Sequence, residues 1–304
     1  MIIGLHDAER DHMPGKTFPN LALMKISAYH KARGDTVEWW NALLNQQYGI
    51  VYSSKVFDFT PENLYLPENT VKGGTGYGLY AGLPPEIDSQ FPDYSIYPEC
   101  DYAIGYITRG CPNRCGWCIV PDKEGNIRPY SGWRDIVRPA TKKLVLIDNN
   151  ILASEYGIEQ LAELAGTDYR VDLNQGMDAR LVNERIADIL ARLKWIKYIR
   201  FSCDQIPQID AIENAAALLL ERGVSNSRLF IYLLVTKDLD NADYRVQRLI
   251  RLNVSIYAQA ERNLARGIMP NAAQNEFCHR YIYGRGYKKE PWPEYCRRKN
   301  LKYG

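Results

Sequence analysis

The chain has 304 residues, 46% of them hydrophobic and 24% charged, with a formal net charge of +2. These figures are ordinary for a globular protein with one large or two moderate domains, and the charge balance points neither toward nor away from nucleic acid. No stretch approaches the roughly 20 consecutive apolar residues of a membrane span, and the opening MIIGLHDAERDH reads as no signal peptide. The expected home is therefore the reducing cytoplasm, where the seven cysteines bind metal or stay free rather than pair.

The first 95 or so residues open with a short strand at Ile2–Leu5 and a polar loop holding Pro14, Gly15 and Pro19. LALMKISAYHKARGD then places Leu21, Met24, Ile26, Ala28 and Ala32 at helical spacing, closed by Gly34. TVEWW and GIVYSSKVFDF read as second and third strands, so a small parallel α/β unit is expected. A Gly, Pro and Tyr-rich connection follows, up to Cys100.

From Asp101 the rhythm becomes regular. Candidate strands are Tyr102–Thr108, Lys143–Ile147, Arg170–Leu173, Lys197–Phe201, Arg228–Val235 and Val254–Tyr257. Helical patterns separate them: IEQLAELAG, NERIADILARLKW, IDAIENAAALLLERG and DYRVQRLIRLN. Such alternation predicts parallel βα units. There are too few for a closed eight-stranded barrel, so an open, partial barrel is expected. The last 40 or so residues carry no strong period.

The connection between the first two of these strands holds TRGCPNRCGWCIVP, with Cys111, Cys115 and Cys118. It follows a strand directly, at the carboxyl edge where such sheets build their sites. Gly110, Pro112 and Gly116 supply the turns that splay three thiols. A closed zinc site wants four ligands, and no partner pair stands nearby. Three idle core cysteines fit poorly beside Asn113 and Arg114. A 4Fe–4S cluster with three thiolates and one open iron is the remaining reading.

CPNRCGWC resembles the Cx3CxφC signature of the radical S-adenosylmethionine superfamily, with Trp117 as the aromatic residue before the third cysteine. The resemblance covers about Glu99 to Arg262. It implies an α/β fold: a partial (βα)6 barrel over 96–262, preceded by a small Rossmann-like domain over 1–95 and followed by a basic, aromatic extension over 263–304. It also implies that S-adenosylmethionine chelates the fourth iron. One electron through the cluster then yields a 5′-deoxyadenosyl radical that abstracts hydrogen from a substrate the sequence does not identify. The electron would come from a donor such as flavodoxin or ferredoxin.

In that barrel, polar residues at strand ends line the cofactor. Asp148, Asn149 and Asn150 stand where the superfamily's second strand meets the amino group of S-adenosylmethionine; a helix cap or turn is the other reading. Asn174, Gln175, Asp178 and Arg180 follow the third strand in VDLNQGMDARLV, which is similar to segments of other radical S-adenosylmethionine proteins. Arg180 could clamp a carboxylate or pair with Asp178 or Glu184. Ser202 and Asp204 end the fourth strand as candidates for ribose or carboxylate contacts, while Cys203 should face the core. Thr236, Lys237, Gln259 and Glu261 face substrate or water.

The first 95 residues resemble the cobalamin-binding-like modules that precede many such barrels, and Gly73–Gly74 matches their later loop. Asp11-His12-Met13-Pro14-Gly15 lacks the Asp-x-His spacing of a cobalamin ligand, which argues against ordinary histidine-ligated cobalamin. The final segment carries Arg280, Arg285, Lys288, Lys289, Arg297, Arg298, Lys299 and Lys302 among aromatic rings. It either binds a nucleic acid or nucleotide, or packs on the barrel. Cys100, Cys203, Cys278 and Cys296 have no spacing that supports an auxiliary cluster. Two other activities stay open: a cobalamin-dependent methyltransferase, and an iron–sulfur protein that only transfers electrons or senses redox state.

Overall fold

The computed structural model describes residues 1–15, 18–282 and 290–300. The chain divides into two compact units, Met1–Ala103 and Ile104–Gly304.

The first unit is a parallel sheet with strand order β2-β1-β3-β4, built from β1 (Ile2–Asp7), β2 (Thr36–Trp39), β3 (Ile50–Ser54) and β4 (Val71–Gly73). This order turns outward in both directions from β1, as in one half of a doubly wound sheet. The short helix α1 (Ala8–His12) contains Asp11 and His12. Helix α2 (Leu21–Ala32) is capped by Asn20, whose side chain accepts from Leu23 N–H, and it buries Leu23, Met24 and Ile26. A one-turn helix, α3 (Pro85–Asp88), comes later. Of the Gly73–Gly74 pair, only Gly74 is closely packed; at Gly73 a Cβ would meet open space. Gly74 has φ +102°, and a Cβ there would collide with the Lys55 carbonyl oxygen.

Several polar groups at the carboxyl ends of β1 and β3 bond within the unit. Asp7 accepts from Tyr97 at 2.6 Å, and Glu9 accepts the backbone N–H groups of Val56 and Phe57. His6 Nδ1 meets Ser53 at 2.7 Å.

The second unit carries the predicted βα rhythm. Strand β5 (Ala103–Gly105) is followed by an antiparallel ribbon of β6 (Thr108–Arg109) and β7 (Arg128–Pro129), with the one-turn helices α4 (Val120–Lys123) and α5 (Trp133–Ile136) beside it. Then come β8 (Lys143–Leu146), α6 (Glu155–Ala165), β9 (Arg170–Leu173), α7 (Glu184–Arg192), β10 (Lys194–Trp195), β11 (Ile199–Ser202), α8 (Gln208–Glu221), β12 (Leu229–Val235), α9 (Leu239–Arg251) and β13 (Ser255–Ala260). Strands β5, β8, β9 and β10 form one sheet, and β11, β12 and β13 another. Met177 joins them by pairing in parallel with Phe201, so the strands follow one another in chain order, as an open barrel requires.

The side-chain pattern explains the layers. In β12, Leu229, Ile231, Leu233 and Val235 are fully buried, while Phe230, Tyr232 and Leu234 are only half-buried on the opposite face. Helix α7 buries Ile186, Ala187, Ile189 and Leu190 along one stripe and is capped by Asn183.

The final segment is not a separate appendage. Helix α10 (Ala272–Ile282) packs on β13, and Gln274 donates to the Val235 carbonyl. Helix α11 (Trp292–Lys299) inserts Trp292, at 1% exposure, against Phe277. Tyr281 and Trp292 are thus core residues and not open stacking platforms. Tyr283, Arg285, Tyr287, Lys288, Lys289, Lys302 and Tyr303 lie outside the described residues. Among the described residues, no helix is long and apolar enough to cross a membrane.

Candidate metal centre

The three cysteines sit on the loop between β6 and α4, each half-buried. The ribbon holds the loop closed at its base. Cys111 N–H donates to the Gly125 carbonyl at 3.1 Å, and Arg109 forks onto Glu124 at 2.8 and 2.7 Å. The Arg109 guanidinium also lies 5.0 and 5.2 Å from the rings of Tyr106 and Tyr130. Gly110 must be glycine: its φ is +87°, and a Cβ would strike the Asn126 carbonyl. Within the loop, Cys118 N–H donates to the Cys115 carbonyl at 3.0 Å.

Asp148, Asn149 and Asn150, just past β8, bond in turn to the residues leading into this loop and to its first cysteine. Asp148 accepts from Ile107 N–H, Thr108 N–H and the Thr108 hydroxyl. Asn149 accepts from Gly110 N–H at 3.1 Å. Asn150 Nδ2 reaches Cys111 Sγ at 3.5 Å. Asp148 and Asn149 thus grip the strand and turn that lead into the cysteines. The Asn150 side-chain oxygen is buried with no hydrogen-bond partner, so it is left to accept from something else.

Asp178 ties the loop to the far side of β9. It accepts from Asn113 Nδ2 at 3.1 Å and takes the Arg180 fork at 2.8 and 2.6 Å. Burial opposes the Asp178 charge, but Arg180 and Asn113 hold its carboxyl below the usual range. Of the two roles open to Arg180, pairing with Asp178 is the one observed. Arg266 Nη1 donates to the Gly116 carbonyl from the segment after β13.

Farther along the same edge, Asn174 takes part through its backbone, donating to Leu146 and accepting from Tyr232. Gln175 and Gln259 are exposed, Trp117 and Ser202 half-buried. Thr236 caps Asp238 N–H, and Glu261 N–H donates to Val235. Asp204 has its carboxyl pushed up by burial, partly offset by Arg245 and the Leu234 N–H.

Arg245 carried no motif, yet at 1% exposure it donates to the carbonyls of Cys203 and Leu234 at 2.6 and 2.8 Å. It thereby fixes the strand ends beneath Asp204. The loop fasteners Arg109, Glu124, Asn113 and Arg266 were equally silent in the sequence, because each acts on a residue far away or across a turn. Cys203 is fully buried, and burial pushes its thiol up to about 12, as it does that of Cys278. Cys100 and Cys296 are also buried and form no disulfide.

The electrostatics of the loop argue against nucleophilic thiols. Burial pushes the Cys115 thiol up, and the negative charges of Cys118, Cys111 and Asp204 push it further. Burial also raises Cys118, against the pull of the Val120 N–H, with Cys111 and Asp204 adding to the rise. A lone reactive cysteine needs the opposite shift. Three mutually repelling thiolates become favourable once bound to metal cations. Among the described residues, no three His, Cys, Asp or Glu side chains converge tightly enough for a single ion. A four-iron cluster takes its thiolates on separate irons instead of on one ion. The N–H donors on the sulfurs of Cys111 and Cys118 fit bound thiolates, which can only accept.

No family model matches the chain. A 91-residue stretch is 32% identical to the ribosomal protein uS12 methylthiotransferase RimO of Xanthomonas campestris pv. campestris (strain 8004), covering 27% of this chain and 20% of that protein. The proteins of the same name from Xanthomonas axonopodis pv. citri (strain 306) and Xanthomonas oryzae pv. oryzae (strain PXO99A) match at the same 32%, over 20% and 19% of their lengths. The chain thus spans about a fifth of the curated relatives it matches.

Proposed function

We propose that the chain is a radical S-adenosylmethionine enzyme whose 4Fe–4S cluster is held by Cys111, Cys115 and Cys118. The observation that carries this reading is the three-thiol loop at the carboxyl edge of an open βα sheet, two of its sulfurs supplied with N–H donors. The partial likeness to RimO supports it. When bound, the cluster and S-adenosylmethionine would supply a 5′-deoxyadenosyl radical for hydrogen abstraction. The chain's own residues position that chemistry. Asp148 and Asn149 hold the entry to the loop, Asp178 holds its middle through Asn113, and Arg109 with Glu124 closes its base. The free oxygen of Asn150 is an acceptor for an amino group of the ligand. Asp204, whose charge acts on Cys115 and Cys118, and Ser202 offer further polar contacts. We place the protein in the reducing cytoplasm, served by a flavodoxin or ferredoxin.

The test is product formation. Anaerobically reconstituted, reduced protein given S-adenosylmethionine should release 5′-deoxyadenosine, and Cys115→Ala should not. An intact cluster without release supports the electron-transfer reading instead. Cobalamin absorbance bands after reconstitution with cobalamin would support the cobalamin-dependent methyltransferase. The relatives' name favours one narrower activity, methylthio transfer to a protein. A methylthio group carries a methyl that S-adenosylmethionine can donate, so S-adenosylhomocysteine beside 5′-deoxyadenosine supports that version.

A further inference from the structure

Hydrogen bonds reach the sulfurs of two of the three cysteines, and they differ in kind. At Cys118 the donor is the backbone N–H of Val120, at 3.5 Å. At Cys111 it is the Asn150 side-chain amide, also at 3.5 Å, a length that suits the large sulfur atom. A sulfur bound to iron has no proton to give. The amide must then present Nδ2, since its oxygen would set lone pairs against an anion.

Asn150 is well fixed. It is 4% exposed, its carbonyl accepts from Ala153 N–H at 3.0 Å, and the two residues before it are bonded to the same loop. Water therefore screens the amide dipole little. Hydrogen bonds to the sulfurs are among the terms that set an iron–sulfur potential. An added electron increases the negative charge on the sulfurs. An N–H dipole aimed at one of them stabilises the reduced state more than the oxidised one.

We infer that Asn150 is a redox-tuning residue: its N–H on Cys111 raises the reduction potential of the cluster and eases its one-electron reduction. This rests on the cluster reading proposed above. Through this N–H, Asn150 acts by way of Cys111, as a positioning residue.

The experiment is an anaerobic redox titration followed by electron paramagnetic resonance, on the full chain with its cluster reconstituted. Wild type is compared with Asn150→Leu, which keeps the volume and removes the donor. The expected result is a full iron complement with the midpoint shifted to more negative potential. If Asn150→Leu takes up no cluster, Asn150→Asp serves, and its added charge should drive the midpoint further down. A loaded variant with an unmoved midpoint overturns the inference while leaving the cluster reading intact. Wild type that assembles no four-iron cluster overturns both.

Discussion

The Asp148 carboxyl is 7% exposed and receives donors from Ile107 and Thr108. Burial pushes its pKa from 3.8 up to about 6, because those donors only partly replace lost hydration. A carboxyl with a raised folded pKa holds its proton more tightly in the native state. Its stabilising contribution is therefore complete below pH 3.8 and is lost as pH rises through about 6. Asp148→Asn removes that titration. Urea denaturation should show wild type losing stability relative to the variant across this window, and parallel pH profiles would refute the assignment. The Asp-Asn-Asn run was visible in the sequence as a polar strand end. Its direction was not, because a side chain's target depends on which loop folds back over it. The same holds for Arg180, where two acceptors were in reach by sequence and only Asp178 was oriented to take the fork.

Elements do their work here through ties between distant ends. The Arg109–Glu124 pair closes the cysteine loop, with side chains 17% and 5% exposed. Breaking a buried pair costs roughly 3–5 kcal/mol, and the partial exposure of Arg109 reduces that to about 2. Glu124→Gln should lower Tm and speed iron loss to a chelator. Glu163→Gln breaks a pair that is 67% and 45% exposed and should do neither. Iron retention equal to wild type in Glu124→Gln would show that the pair is not needed to hold the loop. The βα rhythm was legible because apolar stripes repeat along each strand and helix. Helices α10 and α11 were not. Their buried faces mix residue types, Gln274, Phe277, Cys278 and Tyr281 in one and Trp292 and Cys296 in the other, so no apolar stripe marks them in the sequence.

At the scale of the whole chain, charge is almost balanced, but it is not evenly placed. Arg114, Arg128 and Arg266 are exposed on or against the cysteine loop, with the acid Asp122 exposed in α4 just after it. Such a basic rim suits an acidic one-electron donor protein, whose encounter is steered by charge and screened by salt. The initial rate of cluster reduction by a ferredoxin or flavodoxin should fall several-fold between low salt and about 0.3 M salt. Arg114→Glu should slow it at low salt. A rate indifferent to both would remove this rim as the docking surface.

The sequence by itself determined the main βα alternation between Lys143 and Tyr257 and the close spacing of the three cysteines, since both are written in short-range patterns. Only the tertiary structure decided what secures the loop. Asp148, Asn149 and Asn150 reach back about 40 residues to it, Asp178 reaches it through Asn113, and Arg266 comes in from beyond β13. These bonds depend on strand ends being gathered at one edge, a long-range arrangement that no local pattern encodes.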